Sequence, residues 1–216
     1  MKKEKCRAFG CPAGMLAAFG LWTAAVQCVD VQRIGPQGSA VGFAAMNRFV
    51  HELTGVHMPL YILTDWLSLV PALFVLGFAI LGLGQWIRRK HLLKVDGDLL
   101  ILGGFYLAVL GAYGLFEVLV VNYRPVLIDG VLEASYPSST TMLVLCVMPT
   151  AIMQLRARIR NAALRGWAVS GIGVFTAFMV IARLISGVHW LSDIIGGALL
   201  SAALVLLYRA LVRCWG

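Results

Sequence analysis

Residues 167–186 read WAVSGIGVFTAFMVIARLIS, twenty residues in which Arg183 is the only charged side chain. A helix needs about 20 mostly apolar residues to cross the hydrocarbon core of a bilayer, so this stretch predicts a membrane span. Five other stretches have the same character. The six predicted spans are 12–29, 59–86, 99–122, 139–155, 167–186 and 191–212. We therefore expect an all-α fold, an integral membrane bundle of six helices.

The composition of the whole chain excludes several classes of protein. Of its 216 residues, 60% are hydrophobic and 13% are charged, whereas soluble domains have about 45–50% apolar and about 25% charged residues. A water-soluble enzyme, a coiled coil and a disordered tail are excluded. No linker or repeat divides the chain, so we expect one membrane domain over 1–216. It would comprise an N-terminal, uncleaved anchor helix with an external interfacial segment, 1–58, and a helical core, 59–212.

The placement of the basic residues predicts the orientation of the chain. Alternate segments between the spans hold 14 of the 18 Lys and Arg residues. These are Lys2, Lys3, Lys5, Arg7, Arg88, Arg89, Lys90, Lys94, Arg156, Arg158, Arg160, Arg165, Arg209 and Arg213. Because basic residues accumulate on the cytoplasmic side, we expect both termini on the cytoplasmic side of a bacterial-type plasma membrane. The net charge of +8 is explained in this way, and no nucleic-acid partner is expected.

The five cysteines, at positions 6, 11, 28, 146 and 214, form no CxxC pair and lie at no metal-ligand spacing from a histidine. We therefore expect no zinc site and no disulfide framework. We also predict no cofactor. Polar residues concentrate instead in two predicted external loops, which include residues 122–125 (NYRP), 136–141 (YPSSTT) and 183–193 (RLISGVHWLSD). Polar groups at membrane depth are costly, so these loops are the candidate functional site.

The second of these loops predicts an oriented histidine. His189 and Asp193 lie four residues apart, so they share a helix face if the sixth span begins near His189. The carboxylate would hold one ring nitrogen and leave the other free as a nucleophile or base. The planar guanidinium of Arg183 suits a pair of phosphate oxygens. This combination favours phosphoryl transfer over acyl transfer.

The first loop offers groups that bind an anion. Ser138, Ser139 and Thr140 open the fourth span, where hydroxyls and free backbone N–H groups together form an anion site. Arg124 would add a second cation. A simple helix N-cap is the alternative interpretation of the hydroxyls.

These residues resemble the type-2 phosphatidic acid phosphatase superfamily, which also includes haloperoxidases. Its three motifs are K-x6-R-P, P-S-G-H and S-R-x5-H-x3-D. The matching positions are Arg124-Pro125 in the first motif, Pro137-Ser138 in the second, and Arg183, His189 and Asp193 in the third. The resemblance covers roughly residues 59–212 and implies a phosphatase-like core. The motif order and the six-span layout are similar to those of the integral-membrane lipid phosphatase branch.

The resemblance implies a role for each matching residue. His189 would attack phosphorus and carry a phosphohistidine, and Asp193 would orient it. The implied phosphate-binding residues are Arg124, Ser138, Ser139, Thr140 and Arg183. The family works without a metal, so catalysis would consist of positioning and charge stabilisation.

Two departures from the family's motifs bear on the chemistry, and the Ser before the Arg of the third motif is also replaced, by Ala182. Glu117 stands where the first motif has Lys, and Thr140 stands where the second has the His that protonates the leaving group. His51, His57 and Glu133 are alternative candidate acids. A leaving group that needs little protonation is another solution, which favours a polyprenyl diphosphate such as undecaprenyl diphosphate over phosphatidic acid. The third interpretation of these departures is a slow or inactive enzyme.

The sequence therefore predicts a membrane phosphatase that hydrolyses a lipid phosphate or polyprenyl diphosphate at the external membrane face. A catalytically impaired homologue that binds phospholipid head groups, or a phosphoryl or head-group transferase, remains an alternative. Asp65 is a further carboxylate within the second span. It either pairs with an external arginine or caps a broken helix, and its role stays open.

Overall fold

A computed structural model describes the backbone of residues 2–215 and the side chains of residues 8–215. The structure does not describe the side chains of Lys2, Lys3, Lys5 and Arg7, which contribute to the predicted orientation, or the thiol of Cys6. Within the described residues the fold is all-helical, apart from isolated β-bridges. The α-helices are α1 (Lys2–Cys28), α2 (Ala44–Thr54), α3 (Met58–Leu67), α4 (Leu69–Arg89), α5 (Gly97–Val118), α6 (Ser139–Arg158), α7 (Ala162–Ile185) and α8 (Leu191–Trp215).

Six segments of the described chain are long and apolar enough to cross a membrane, which confirms the predicted six-span, all-α integral membrane fold. They are Ala8–Cys28, Met58–Arg89, Gly97–Val118, Ser139–Arg158, Ala162–Ile185 and Leu191–Trp215. The second segment consists of α3 and α4. Pro71 lacks the N–H that would bond to the carbonyl of Leu67, so the helix breaks at Ser68 between them.

The helices pack around α8, which contacts α1, α5 and α6, while α7 packs against α6 and α3. Phe19, Phe105, Val147 and Tyr208 are buried in the core between α1, α5, α6 and α8. The first helix is therefore part of the packed bundle.

Two loops meet at one end of the bundle, which we call the site end. The loop between α5 and α6 folds back on itself, because the N–H of Ser135 donates to the carbonyl of Asn122 (2.9 Å). The N–H of Ser138 donates to the carbonyl of Asp193 at 3.1 Å, which joins this loop to the start of α8. A Cβ at Gly196 would lie 2.5 Å from the ring of Tyr136, so only glycine permits this close approach.

The helices α1 and α2 brace the site end from outside. Trp22 Nε1 donates to the carbonyl of Ser192 at 3.1 Å, and the hydroxyls of Thr23 and Tyr136 are hydrogen bonded at 2.7 Å. On α2, the buried Asn47 accepts from the N–H of Ser192 (3.1 Å) and donates to its hydroxyl (2.9 Å). The start of α8, which carries Asp193 of the third motif, is thus fixed by two neighbouring helices.

Candidate phosphate-binding active site

Residues from separate parts of the chain meet at the site end. Arg124 comes from the α5–α6 loop, Ser138 precedes α6, Arg183 lies in the last turn of α7, and His189 and Asp193 flank the start of α8. All five side chains are at most 8% exposed. Burial of this many polar groups in one place requires that they be paired or that they bind a ligand.

Ser135 lies between the predicted histidine and carboxylate. His189 Nδ1 is 3.9 Å from Asp193 Oδ2, which is too far for a direct hydrogen bond. The Ser135 hydroxyl is 3.0 Å from His189 Nδ1 and donates a short hydrogen bond to Asp193 Oδ2. The carboxylate therefore acts on the imidazole through a serine rather than directly. The sequence pattern did not single out Ser135.

The carboxylate of Asp193 is held by several donors. The backbone N–H of Trp190 donates to Oδ2 at 3.0 Å, and Asn122 Nδ2 donates to Oδ1 at 3.1 Å. With Ser135 these donors fully engage a group that is 0% exposed. Hydrogen bonds donated to a carboxylate favour its ionised form, which burial alone would disfavour. The anion then orients Ser135 towards His189.

The other nitrogen of His189 is free. Nε2 is buried and has no hydrogen-bond partner among the described residues. Burial lowers the pKa of His189 well below the usual histidine range, and the positive charges of Arg124 and Arg183 lower it further. The imidazole is therefore neutral at neutral pH, with a proton on Nδ1 directed to Ser135 and a lone pair on Nε2. This is the form that a nucleophile requires.

The guanidinium of Arg183 is fixed from one side by α3. Its Nη1 donates to Thr64 Oγ1 at 3.2 Å, and its Cζ lies 4.7 Å from the centre of the Tyr61 ring. Its Nε is buried and unpartnered within the part of the chain that the structure describes. Because Thr64 and Tyr61 hold the group without neutralising it, Arg183 retains a directed positive charge.

Arg124 lies beside the same ring. Its Cζ is 5.8 Å from the centre of the Tyr61 ring, and its Nε is 3.0 Å from Glu133 Oε2. Its Nη1 is buried without a hydrogen-bond partner in the described residues. Two guanidinium groups stacked on one aromatic ring, of which one has no acidic partner, form a concentrated positive site that suits an anion.

The hydroxyls that precede and open α6 are not used as a helix cap. The side chain of Ser138 makes no capping hydrogen bond, and its buried Oγ has no partner among the described residues. Ser139 lines a small cavity together with His189. Thr140 is buried and lines the adjoining cavity. The geometry thus favours the anion site over the simple N-cap.

The structure places Glu117 and the candidate acids in different surroundings. Glu117 lines the small cavity with His189, whereas the candidate acid Glu133 is in its ion pair with Arg124. His51 packs its ring edge-on against Trp190, 5.4 Å between centres, and His57 Nε2 is 2.8 Å from the carbonyl oxygen of Thr54. Neither histidine is among the residues that line the cavity around His189.

Comparison with known proteins gives two findings. Residues 111–215, which contain the three motifs, match the family model described as PAP2 superfamily. The fold is similar to the crystal structure of the first transmembrane PAP2 type phosphatidylglycerolphosphate phosphatase from Bacillus subtilis. The TM-score is 0.65 and the sequence identity 18%, over 94% of this chain and 96% of that chain. No curated protein matches the chain in sequence.

Proposed function

Because the chain belongs to the PAP2 superfamily, as its motifs predicted, we propose that this integral membrane protein hydrolyses a lipid phosphate through a phosphohistidine on His189. The observation that carries the proposal is the cluster of buried, unpartnered polar atoms at the site end. His189 Nε2, Ser138 Oγ and Arg183 Nε are among them. Since buried polar groups without partners are costly, a ligand that satisfies them together accounts for their arrangement.

The first step is attack by His189 Nε2 on phosphorus. As the N–P bond forms, the P–O bond to the lipid breaks and the lipid departs with the bonding electron pair. The ring becomes positively charged, and its Nδ1 proton remains hydrogen bonded to Ser135. Ser135 passes the stabilising effect of the Asp193 carboxylate to the ring without itself losing a proton. Water then attacks phosphorus, the N–P bond breaks, and free phosphate leaves a neutral His189.

The phosphoryl oxygens are held by the remaining groups of the site. The proposed phosphate-binding residues are Arg124, Ser138, Ser139, Thr140 and Arg183, as at the sequence level. Because charge on the transferred phosphoryl group is spread over its equatorial oxygens, such donors supply most of the catalysis. The proposal needs no metal or cofactor.

An apolar groove supports an amphiphilic substrate. A cavity of about 270 Å³ lies between α3, α5 and α6 and is lined by both Thr140 and Leu110. Leu110 also lines a groove of about 470 Å³ between α4 and α5, whose other walls include Phe78 and Leu102. A lipid with its phosphate at the site end would lay a hydrocarbon chain along this groove.

The basic residues of the alternate loops support a site end on the external face of a bacterial-type plasma membrane, with both termini cytoplasmic. The packing of α1 against α8 supports a single membrane domain over 1–216. The substrate is either a lipid phosphomonoester or a polyprenyl diphosphate. Thr140 occupies the position of the family's acid. This supports a diphosphate as a substrate, since a phosphate leaves more readily than an alkoxide.

The test is phosphate release by the purified protein in detergent. Phosphatidic acid, phosphatidylglycerolphosphate and undecaprenyl diphosphate are the substrates, and His189→Ala is the control. We expect release from the wild type that disappears in His189→Ala, while the melting temperature is unchanged. Wild-type activity retained in His189→Ala would reject the phosphohistidine. No release from any lipid by folded wild-type protein would favour a head-group-binding homologue or a transferase.

A further inference from the structure

The motifs leave the leaving group without a proton donor. Thr140 occupies the position of the family's acid, and a threonine hydroxyl is far too weak an acid to protonate an alkoxide as it departs. Among the described residues, the cavity that Thr140 lines contains one carboxylate, that of Asp65 on α3. The sequence assigned no role to this residue.

The polar residues of α3 lie on one helix face that forms a wall of the site. Tyr61, Thr64 and Asp65 follow the spacing i, i+3 and i+4, which brings side chains to the same face. Tyr61 contacts both guanidinium groups, and Thr64 accepts a hydrogen bond from Arg183. Asp65, one turn beyond Tyr61, therefore lies on the helix face that contacts the two arginines.

Asp65 and the nucleophile line two cavities that share part of their walls. The cavity of about 270 Å³ is lined by Asp65 and Thr140, and the smaller one by His189. Both are also lined by Tyr113, Ser139 and Met142. A phosphoryl group beside Ser139 would have His189 on one side and Asp65 on the other. In-line displacement requires this arrangement of nucleophile and leaving group.

The carboxylate of Asp65 is also free to act. No ion pair or side-chain hydrogen bond joins it to another residue in the described part of the chain, and its side chain is exposed at the cavity. Glu133, by contrast, is paired with Arg124.

We propose that Asp65 is the general acid of the reaction and that the substrate is a lipid phosphomonoester with an alcohol leaving group. This inference rests on the proposed phosphatase function. As His189 Nε2 bonds to phosphorus, the P–O bond to the lipid breaks and the Asp65 proton passes to the departing oxygen. In the second step the Asp65 carboxylate takes a proton from the attacking water, the N–P bond breaks, and the acid is restored.

The same geometry selects against a diphosphate. The leaving group of a polyprenyl diphosphate is itself a phosphate, which would lie in the cavity of Asp65. There it would meet a carboxylate, with Glu117 in the adjoining cavity, and it would gain little from a proton donor. A lipid alcohol is neutral once protonated and is repelled by neither.

The test compares two leaving groups in Asp65→Asn, which keeps the shape of the side chain but cannot donate a carboxyl proton. Phosphatidic acid releases a strongly basic alkoxide, whereas p-nitrophenyl phosphate releases a weakly basic phenolate. We compare kcat/KM, because it reports the steps up to departure of the leaving group. We expect kcat/KM for phosphatidic acid to fall by about 10²–10⁴-fold and that for p-nitrophenyl phosphate to change little.

Two further variants complete the test. Asp65→Glu retains a carboxyl group and should recover part of the activity on phosphatidic acid. Glu117→Gln removes the carboxylate of the His189 cavity and should affect both substrates alike. Equal losses on the two substrates in Asp65→Asn, or full activity on phosphatidic acid, would overturn the role of Asp65. If folded wild-type protein hydrolyses neither substrate, the proposed phosphatase function fails and this inference fails with it.

Discussion

The two ends of the bundle treat their polar groups in opposite ways. At the end away from the site, Arg158 Nη1 lies 2.9 Å from Asp98 Oδ2, and Arg89 Nη1 lies 2.8 Å from Asp96 Oδ1. At the site end, buried nitrogen atoms of Arg124 and Arg183 and the Nε2 of His189 have no partner among the described residues. The polar groups at the far end are paired with one another, whereas those at the site end are arranged to bind a ligand.

The satisfied end shows that this chain can pair polar groups well. Gln85 donates to Asp96 Oδ2 at 2.7 Å and accepts from the N–H of the same residue at 2.9 Å. These bonds, with that from Arg89, lower the pKa of Asp96. Gln154 donates to the hydroxyl of Tyr208 at 2.6 Å. Groups at this end stabilise the fold, and we expect them to be unimportant for turnover.

The unpaired end carries a cost in folding free energy. Each buried polar group without a partner costs about 1–3 kcal/mol relative to a paired one. Arg124 and Arg183, which both lie beside the Tyr61 ring, also repel each other. The difference between the two ends therefore separates groups that stabilise the protein from groups that bind its substrate, and substitutions can test that separation.

The largest expected effect comes from a matched pair of arginine substitutions, one at each end. Arg183→Gln should reduce kcat/KM on a lipid phosphate by about 10²–10³-fold, because it removes a donor to the charge of the transferred group. Its melting temperature in detergent should be unchanged or higher, since a buried, incompletely paired charge is removed. Arg158→Gln should lower the melting temperature, because it leaves Asp98 unpaired, and should keep the wild-type kcat/KM.

The comparison of the two ends would be broken by the reverse pattern. A large loss of stability in Arg183→Gln would make this arginine part of the structural framework. A large loss of turnover in Arg158→Gln, in protein that is still folded, would mean that the far end takes part in catalysis.

A smaller effect is expected from Ser135→Ala, which removes the hydroxyl between His189 Nδ1 and Asp193 Oδ2. A hydrogen bond to a charged group contributes about 1.5–3 kcal/mol, so kcat should fall by about 10- to 100-fold. Because Ser135 acts through His189, the pH profile of kcat/KM should also shift, as the ring loses the acceptor of its Nδ1 proton.

Ser135→Thr is the matched control for this prediction. It keeps the hydroxyl and should recover most of the lost kcat and the wild-type pH profile. An alanine variant whose kcat and pH profile both equal those of the wild type would show that Asp193 acts on His189 without Ser135.

The residues that the sequence reveals are those whose chemistry conflicts with their local surroundings. Arg183, His189 and Asp193 stand out because charged groups interrupt apolar spans at a fixed spacing. The six spans are predictable for the same reason, since hydropathy over 20 residues needs no knowledge of tertiary contacts. Only the ends differ: the third span stops at Val118 rather than at residue 122, where the chain turns into the α5–α6 loop.

The residues that the sequence does not reveal act through contacts between helices. Ser135 is an ordinary loop serine until the start of α8 lies against it. Tyr61 and Thr64 belong to an apolar span, and nothing local indicates that their face packs against Arg183. The break at Ser68 has a local signal in Pro71. The packing of α3, the helix before the break, against α7 has no such signal. Such roles depend on which helix faces meet, and hydropathy does not specify that.

The smallest expected effect is a change in the pKa of His189. Burial and the charges of Arg124 and Arg183 hold this pKa well below the usual histidine range. Arg124→Gln removes one of these charges, so the pKa should rise but stay low because the ring is still buried. Glu133→Gln removes the acidic partner of Arg124, so the pKa should fall further. The measurement is a pH titration of the imidazole nitrogen signals by NMR, with His189→Ala to assign the signal among four histidines.

Opposite shifts in these two variants would show that the charges of the site act on His189, whereas Arg158→Gln at the far end should leave its pKa unchanged. Equal shifts in all three variants would mean that the ring responds to a general loosening of the fold. A pKa of His189 at or above the ordinary range in the wild type would contradict the neutral nucleophile. With a lowered pKa, the neutral form persists as the pH falls through the usual histidine range, and kcat/KM should show no loss there from protonation of His189.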